Sequence, residues 1–274
     1  MHSKLRLGVI IDLGENCDEE MNKIQELGLN TCQVACWDTA LYCDEIACKL
    51  KASSQKYGIE VTSIWAGYPG PAVWNFVQGP STIGLVTPEY QAMRVSALKK
   101  AADFAVVSGV PSITTHAGFI PENPLDPLYS GAVEALTEVI EYCAKLGLYF
   151  CFETGQETPI TLLRVIKAIG KGNIGVNFDP ANLLMYGKAN PIDALDILGP
   201  YVKGVHAKDG EYPTDPNNLG CEKPLGEGRV NFPLLISKLK DFGFTGAITI
   251  EREISGPQQI VDIKRAIEIL TPLL

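Results

Sequence analysis

The chain predicts an α/β protein folded as a single (β/α)8 barrel that takes up residues 1–274 as one domain. Three observations carry that expectation. Eight short apolar runs of strand length alternate with amphipathic helical patterns, and such alternation implies parallel pairing through right-handed crossovers. A helix-stop-then-strand phrase recurs as ELGLN, KYGIE, VSGVP, KLGLY and DFGFT, each with a glycine where a left-handed cap ends a helix. Four runs in the C-terminal half end on residues that bind metals or move protons, and a barrel of this kind gathers the C-terminal ends of its strands around one site.

Taken in order, LRLGVII (5–11) is the first strand, and the helical pattern at 18–27 stops at Gly28. NTCQVACW (30–37) leads to a helix at 42–57 and Gly58. IEVTSIWA (59–66) leads through a long connection to a helix at 88–108 and Gly109. PSITTHA (111–117) precedes a helix at 129–146 that stops at Gly147. YFCFE (149–153), IGVNFD (174–179), VKGVH (202–206) and AITIE (247–251) follow, with helices at 161–169, 192–198, 232–242 and a closing helix at 258–273. These runs are almost continuously apolar, as strands covered on both faces are. A doubly wound open sheet is the rival architecture, but no GxGxxG follows the first strand and eight units have no natural place in it.

The connections 67–87, 118–128 and 210–230 are long and irregular; the first and third, at 21 residues each, exceed the roughly 12–15 residues beyond which a connection in a compact domain is usually functional or disordered. They read as walls and lid of a pocket. The first holds Tyr68, Trp74 and Phe76, suited to stacking on the apolar face of a ligand, and the third contains PLGEG (224–228).

Composition narrows the function classes. Hydrophobic residues make up 46% and charged residues 20%, the balance of an ordinary globular protein. A formal charge of −9 opposes a nucleic-acid partner, because phosphate affinity needs clustered Lys and Arg. No stretch reaches the 18 or so apolar residues of a membrane span. The N-terminus runs straight into a strand without the apolar core and cleavage site of a signal peptide, which predicts a cytoplasmic protein. The eight cysteines form no CxxC pair and read as reduced thiols.

Glu153, Asp179, His206 and Glu251 close the last four runs, 26, 27 and 45 residues apart, which fits one strand–helix unit per step, the last with a long loop. Each is a misfit at the end of a buried apolar strand. Brought to one end of a parallel sheet, three carboxylates and an imidazole form a metal site by architecture. An oxygen-rich set suits Mn²⁺ first, with Mg²⁺, Co²⁺ or Zn²⁺ as alternatives. Around it, Asn182 in DPANL can point an amide at the pocket. Lys208 falls on the same side of its strand as His206, where it either holds a substrate or pairs with Asp209 or Asp179. His116 ends the fourth strand and is the only histidine besides His206 and the near-terminal His2. Trp65 near the end of the third strand, Tyr68 just beyond it and Glu157 after Glu153 complete the candidate substrate-binding set.

CFETG, NFDPANL, GVHAKD, PLGEG and ITIERE together resemble the xylose isomerase-like barrel family of sugar phosphate isomerases and epimerases. The metal quartet is similar to that of the ketose 3-epimerases. The resemblance implies that Glu153 and Glu251 both ligate the metal and act as acid/base groups on opposite faces of a substrate. Two departures stand out. The epimerases carry a histidine shortly after the ligand aspartate, where this chain has Asn182. They carry an arginine soon after the ligand histidine, where this chain reads Gly210, Glu211, Tyr212. Both argue against a free ketohexose as the substrate.

The expected function is therefore a divalent-metal-dependent isomerase or epimerase of a sugar, polyol or keto-sugar, working by proton transfer through a metal-stabilised enediolate. A metal-dependent lyase of the inosose dehydratase type is the alternative on the same barrel. A three-zinc DNA-repair endonuclease would need more histidines and a basic surface, and a non-catalytic binding protein would bind no metal. The partner is a small carbohydrate, with a homodimer or higher homo-oligomer as the expected assembly.

Overall fold

The computed structural model describes residues 5–274, so His2 lies outside the described residues. Eight parallel strands close a barrel: β1 (Arg6–Asp12), β2 (Thr31–Cys36), β3 (Glu60–Ala66), β4 (Ser112–His116), β5 (Tyr149–Glu153), β6 (Ile174–Phe178), β7 (Val202–Ala207) and, after a two-stranded excursion β8 (Asp209–Gly210) and β9 (Glu222–Lys223), β10 (Ala247–Ile250). Sequential barrel strands are neighbours all the way round, and β10 closes onto β1 with Arg6 opposite Ala247. The eight expected strands are all present.

The helices are α1 (Cys17–Glu26), α2 (Asp44–Tyr57), α3 (Gly79–Thr82), α4 (Pro88–Ser108), α5 (Pro127–Lys145), α6 (Pro159–Ile169), α7 (Pro180–Met185), α8 (Pro191–Leu198), α9 (Phe232–Asp241) and α10 (Pro257–Leu270). Six of them begin on proline, whose missing N–H and fixed φ suit the first helical position. Apolar periodicity alone starts α5, α6 and α8 one or two residues late, because it registers the buried face and not the cap. Gly58 and Gly109 end α2 and α4 at φ 66° and 78°, a region that glycine enters without strain.

Side-chain alternation sorts the strands into two faces. Phe150, Phe152 and Phe178 are fully buried and turn towards the helices, while Glu153 and Asn177, of the opposite parity, turn towards the barrel axis. Register then sets heights. His116 pairs with Glu153, Glu153 with Asn177, and Asn177 with Gly204, so one residue pair further along β6 and β7 brings Asp179 beside His206.

The connections that read as irregular are more ordered than their composition implies. Segment 67–87 contains α3 and is held from below by Arg94 of α4, a fully buried side chain. Its guanidinium donates to the carbonyls of Pro69, Gly84, Pro71 and Thr82, at 2.5–3.3 Å, and lies over the rings of Tyr68 and Tyr90. This connection is a fixed wall rather than a free lid. Segment 210–230 is gathered around Asp209, whose carboxylate accepts from the N–H groups of Gly210, Gly226, Gly228 and Val230 at 2.8–3.0 Å. Among the described residues no helix is long and apolar enough to cross a membrane.

Candidate metal centre and active site

Four elements each deliver one donor to the C-terminal mouth of the barrel. Glu153 is the last residue of β5, Asp179 caps the N-terminus of α7, His206 sits near the end of β7, and Glu251 follows β10. One donor atom from each lies within 4.8 Å of all the others. His206 Nδ1 is 2.9 Å from Glu251 Oε2, 3.4 Å from Glu153 Oε1 and 3.6 Å from Asp179 Oδ2.

Three facing atoms, His206 Nδ1, Asp179 Oδ2 and Glu251 Oε2, are buried with no hydrogen-bond partner outside the quartet. Buried polar atoms are rarely left unpaired, and three in one cluster mark a place built for something that satisfies all of them at once. Three carboxylates plus one imidazole at coordinating spacing fit a hard divalent cation. The donor set fits the group that the sequence implies.

Charge inside the cluster is strongly perturbed. Burial opposes ionisation of all four groups. The carboxylates of Glu251 and Glu153 nevertheless hold the His206 imidazole well above its ordinary value, and burial lifts Asp179 to about 7 despite nearby Lys208. Against the burial cost, Lys208 and His206 hold Glu251 below the usual carboxylate range, and His206 does the same for Glu153. The cluster thus retains protons that a bound cation displaces.

The orienting residues come from inside the barrel, and sequence reasoning missed two of them. His206 Nε2 lies 2.9 Å from Gln33 Oε1 and 2.9 Å from Asn177 Nδ2, and Gln33 Nε2 donates to Asn177 Oδ1 at 2.9 Å. With its Nε2 proton donated to Gln33, the ring turns Nδ1 towards the cluster, where a cation that displaced the second proton would meet the Nδ1 lone pair. Gly204 makes room for the bundle: a Cβ there would lie 2.5 Å from Asn177 Oδ1. The available signal was a polar residue inside an otherwise apolar strand, Gln33 in NTCQVACW and Asn177 in IGVNFD.

Most other sequence-predicted residues surround the quartet. Trp65 Nε1 donates to Glu153 Oε2, and Asn182 Nδ2 donates to Glu153 Oε1 at 3.2 Å while its backbone N–H caps on Asp179 Oδ1 at 2.8 Å. His116 Nε2 is 3.6 Å from Glu153 Oε1, and burial lowers its pKa, which keeps the ring neutral. Lys208 Nζ is 3.0 Å from Glu253, 3.4 Å from Glu251 and 3.9 Å from Asp179, and it donates to Asn182 Oδ1 at 3.4 Å. It does not pair with Asp209, which is committed to the loop.

Two expected residues stand apart. Tyr68 is buried behind Trp37, its hydroxyl accepting from Gly84 N at 2.8 Å and its ring under Arg94, so it supports the wall and does not line the cavity. Glu157 is buried outside the cavity lining, with both carboxylate oxygens unpartnered.

The cavity above the quartet has a volume of about 1630 Å³ and runs on into the cleft between α1 and α10. Trp65, Trp74, His116, Lys208, Glu253 and Tyr186 are among its lining residues.

A closed parallel barrel with an oxygen-rich cluster of candidate cation ligands at its strand C-termini defines the class. Residues 21–273 match the family described as xylose isomerase-like TIM barrel. The structure of a xylose isomerase domain protein from Planctomyces limnophilus is 33% identical, with a TM-score of 0.89 over 98% of this chain and 96% of that one. A D-tagatose 3-epimerase-like protein shares 22% identity at a TM-score of 0.75, covering 98% and 97% of the two chains. A D-psicose 3-epimerase determined in the presence of D-fructose shares the fold at 16% identity and a TM-score of 0.72, covering 98% and 99%. The chain belongs to the xylose isomerase-like TIM barrel family.

Proposed function

We propose that this chain is a cytoplasmic, single-domain, divalent-metal-dependent isomerase or epimerase of a sugar or sugar-like polyol or keto-sugar, with Mn²⁺ as the preferred ion. The observation that carries the reading is the convergence of Glu153, Asp179, His206 and Glu251, three of whose buried donor atoms have no hydrogen-bond partner outside the quartet. A D-psicose 3-epimerase and a D-tagatose 3-epimerase-like protein among the structural neighbours support a carbohydrate substrate.

A bound divalent cation would polarise a substrate carbonyl and offset the negative charge that develops on its oxygen. The protein's own groups do the proton transfer. One of the two glutamates, as a carboxylate, takes the proton from the carbon next to the carbonyl; the other, once it has taken up a proton, returns one. Return to the opposite face of the same carbon gives epimerisation, and return to the neighbouring carbon gives isomerisation. Each glutamate alternates between base and acid, which requires pKa values shifted by burial and neighbours. The two are held differently: Trp65 and Asn182 donate to the two oxygens of Glu153, whereas Glu251 Oε2 faces His206 Nδ1 at 2.9 Å and Lys208 Nζ at 3.4 Å. Neutral His116 and charged Lys208 stand at the rim, placed to hold substrate hydroxyls.

Incubating the Mn²⁺-loaded protein in deuterated water with a panel of ketoses, aldoses and inososes tests the reading. Deuterium at a carbon adjacent to the carbonyl is the expected result, and loss of one water from the product would assign a dehydratase instead. Glu153→Gln and Glu251→Gln should each lower turnover by roughly 10³-fold or more. Retained turnover in both variants rejects the assignment.

A further inference from the structure

All three tryptophans of the chain stand on one wall of the cavity, in two tiers. Trp65 forms the inner tier: it is 6% exposed and its Nε1 is spent on Glu153. Trp37 and Trp74 form the outer tier, 42% and 40% exposed. Trp37 lies 5.2 Å from Trp65 and 6.1 Å from Trp74, and Trp74 lies 5.3 Å from His116, all between ring centroids. Neither outer indole hydrogen-bonds any group of the metal quartet.

The outer tier is built, not incidental. Trp37 is seated against Gly67, where a Cβ would come within 2.6 Å of its Cδ2 and Cε3 atoms, so only glycine lets the indole lie there. Trp74 is carried by segment 67–87, which Arg94 holds to the barrel through four carbonyls. Large aromatic faces held rigid and left open to water inside a cavity cost solvation unless a ligand covers them. The inner tier, Trp65 with His116, lies directly against Glu153 of the quartet, whereas Trp37 and Trp74 are stacked outside it.

We propose that Trp37 and Trp74 form a second-ring subsite, and that the substrate is a glycoside: a sugar whose carbonyl end faces the quartet and whose substituent ring stacks on the outer tryptophans. The inference deepens the proposed function and rests on it for the orientation of the carbonyl end. The substituent has an apolar ring face, as a pyranose or an aryl aglycone does, and needs no charge, since the outer tier offers none.

Intrinsic tryptophan fluorescence reports this wall directly, because no tryptophan lies elsewhere. The Mn²⁺-loaded protein is titrated with D-fructose and with ketose disaccharides joined through different positions (turanose, lactulose, isomaltulose), and with an aryl glycoside. At least one extended ligand should bind roughly tenfold or more tightly than D-fructose. In Trp37→Ala and Trp74→Ala that preference should collapse towards one, while Trp37→Tyr and Trp74→Phe, which keep a ring, should retain most of it. Thermal melts check that the alanine variants remain folded. Which extended ligand binds best separates a sugar from an aryl substituent. If no extended ligand outbinds D-fructose, or if the preference survives both alanine substitutions, the subsite is rejected. A protein that takes up no Mn²⁺ yet still prefers extended ligands sinks the metal-dependent reading and leaves the subsite standing.

Discussion

His206 shows how much of a candidate metal centre is decided by residues outside the four donors. Its ring is fixed by Gln33 and Asn177, two polar side chains at the barrel axis, and Gly204 leaves room for them. Groups that orient a ligating imidazole typically contribute 10–100-fold in metal affinity. Gln33→Leu should therefore weaken Mn²⁺ binding by about that factor, measured by fluorescence titration, without loss of the fold. Unchanged affinity would show that the ring needs no such support. Glu157 presents the opposite case, a buried carboxyl with no hydrogen-bond partner at either oxygen, which burial pushes up to about 8. Because the folded-state value lies above the unfolded one, the stability this group contributes is full below about pH 4.5 and is lost as pH rises through 8. Glu157→Gln removes the titration. The variant should melt close to wild type at pH 5 and several degrees higher at pH 9, and parallel melting curves across that range would refute the assignment.

At the scale of elements, the connection 67–87 tests whether a long, Gly- and Pro-containing segment can serve as a rigid wall. Arg94 alone supplies donors to four of its carbonyls from a fully buried position. A lysine cannot replace that planar fork, since a single ammonium presents three donors from one point. Arg94→Lys and Arg94→Met should both expose the segment to limited proteolysis and lower the melting temperature, with a loss of about 3–5 kcal/mol for the methionine variant. An intact protease pattern would mean that α3 and the packing of Tyr68 hold the wall unaided. None of this was legible in the sequence: Arg94 occupies an ordinary position in a helical pattern, and its carbonyl partners carry no side-chain signature. The glycine stops and the eight strands were legible, because left-handed caps and strands buried on both faces each demand a restricted choice of residues. The same contrast holds at the site. The four donors stand out because an ionisable residue at the end of an apolar run has no packing explanation. Gln33 and Asn177 pass unnoticed because one polar residue inside a strand is commonly just a paired core group, and only the closed barrel shows that they share an imidazole.

For the whole molecule, the placement of the quartet makes metal occupancy a matter of global stability. Its donors come from the ends of β5, β6, β7 and β10, half of the barrel's eight strands. Without a cation, three carboxylates and an imidazole crowd within 4.8 Å, and Asp179 holds a proton up to about pH 7 at the expense of its charge. A divalent ion that binds the folded barrel and not the open chain stabilises it by mass action, about 2.7 kcal/mol at a hundredfold excess over the dissociation constant. For a chain of this length each kcal/mol moves the melting temperature by roughly 2–4 °C. Saturating Mn²⁺ should therefore raise the melting temperature by about 5–10 °C over the chelator-treated protein. The rise should shrink below pH 6, where Asp179 and its neighbours compete for protons, and should be largely absent in Asp179→Asn. A melting temperature indifferent to both Mn²⁺ and chelator, with no metal retained on gel filtration, would mean that the four strand ends balance their charges among themselves and that the cation has no part in holding the barrel mouth together.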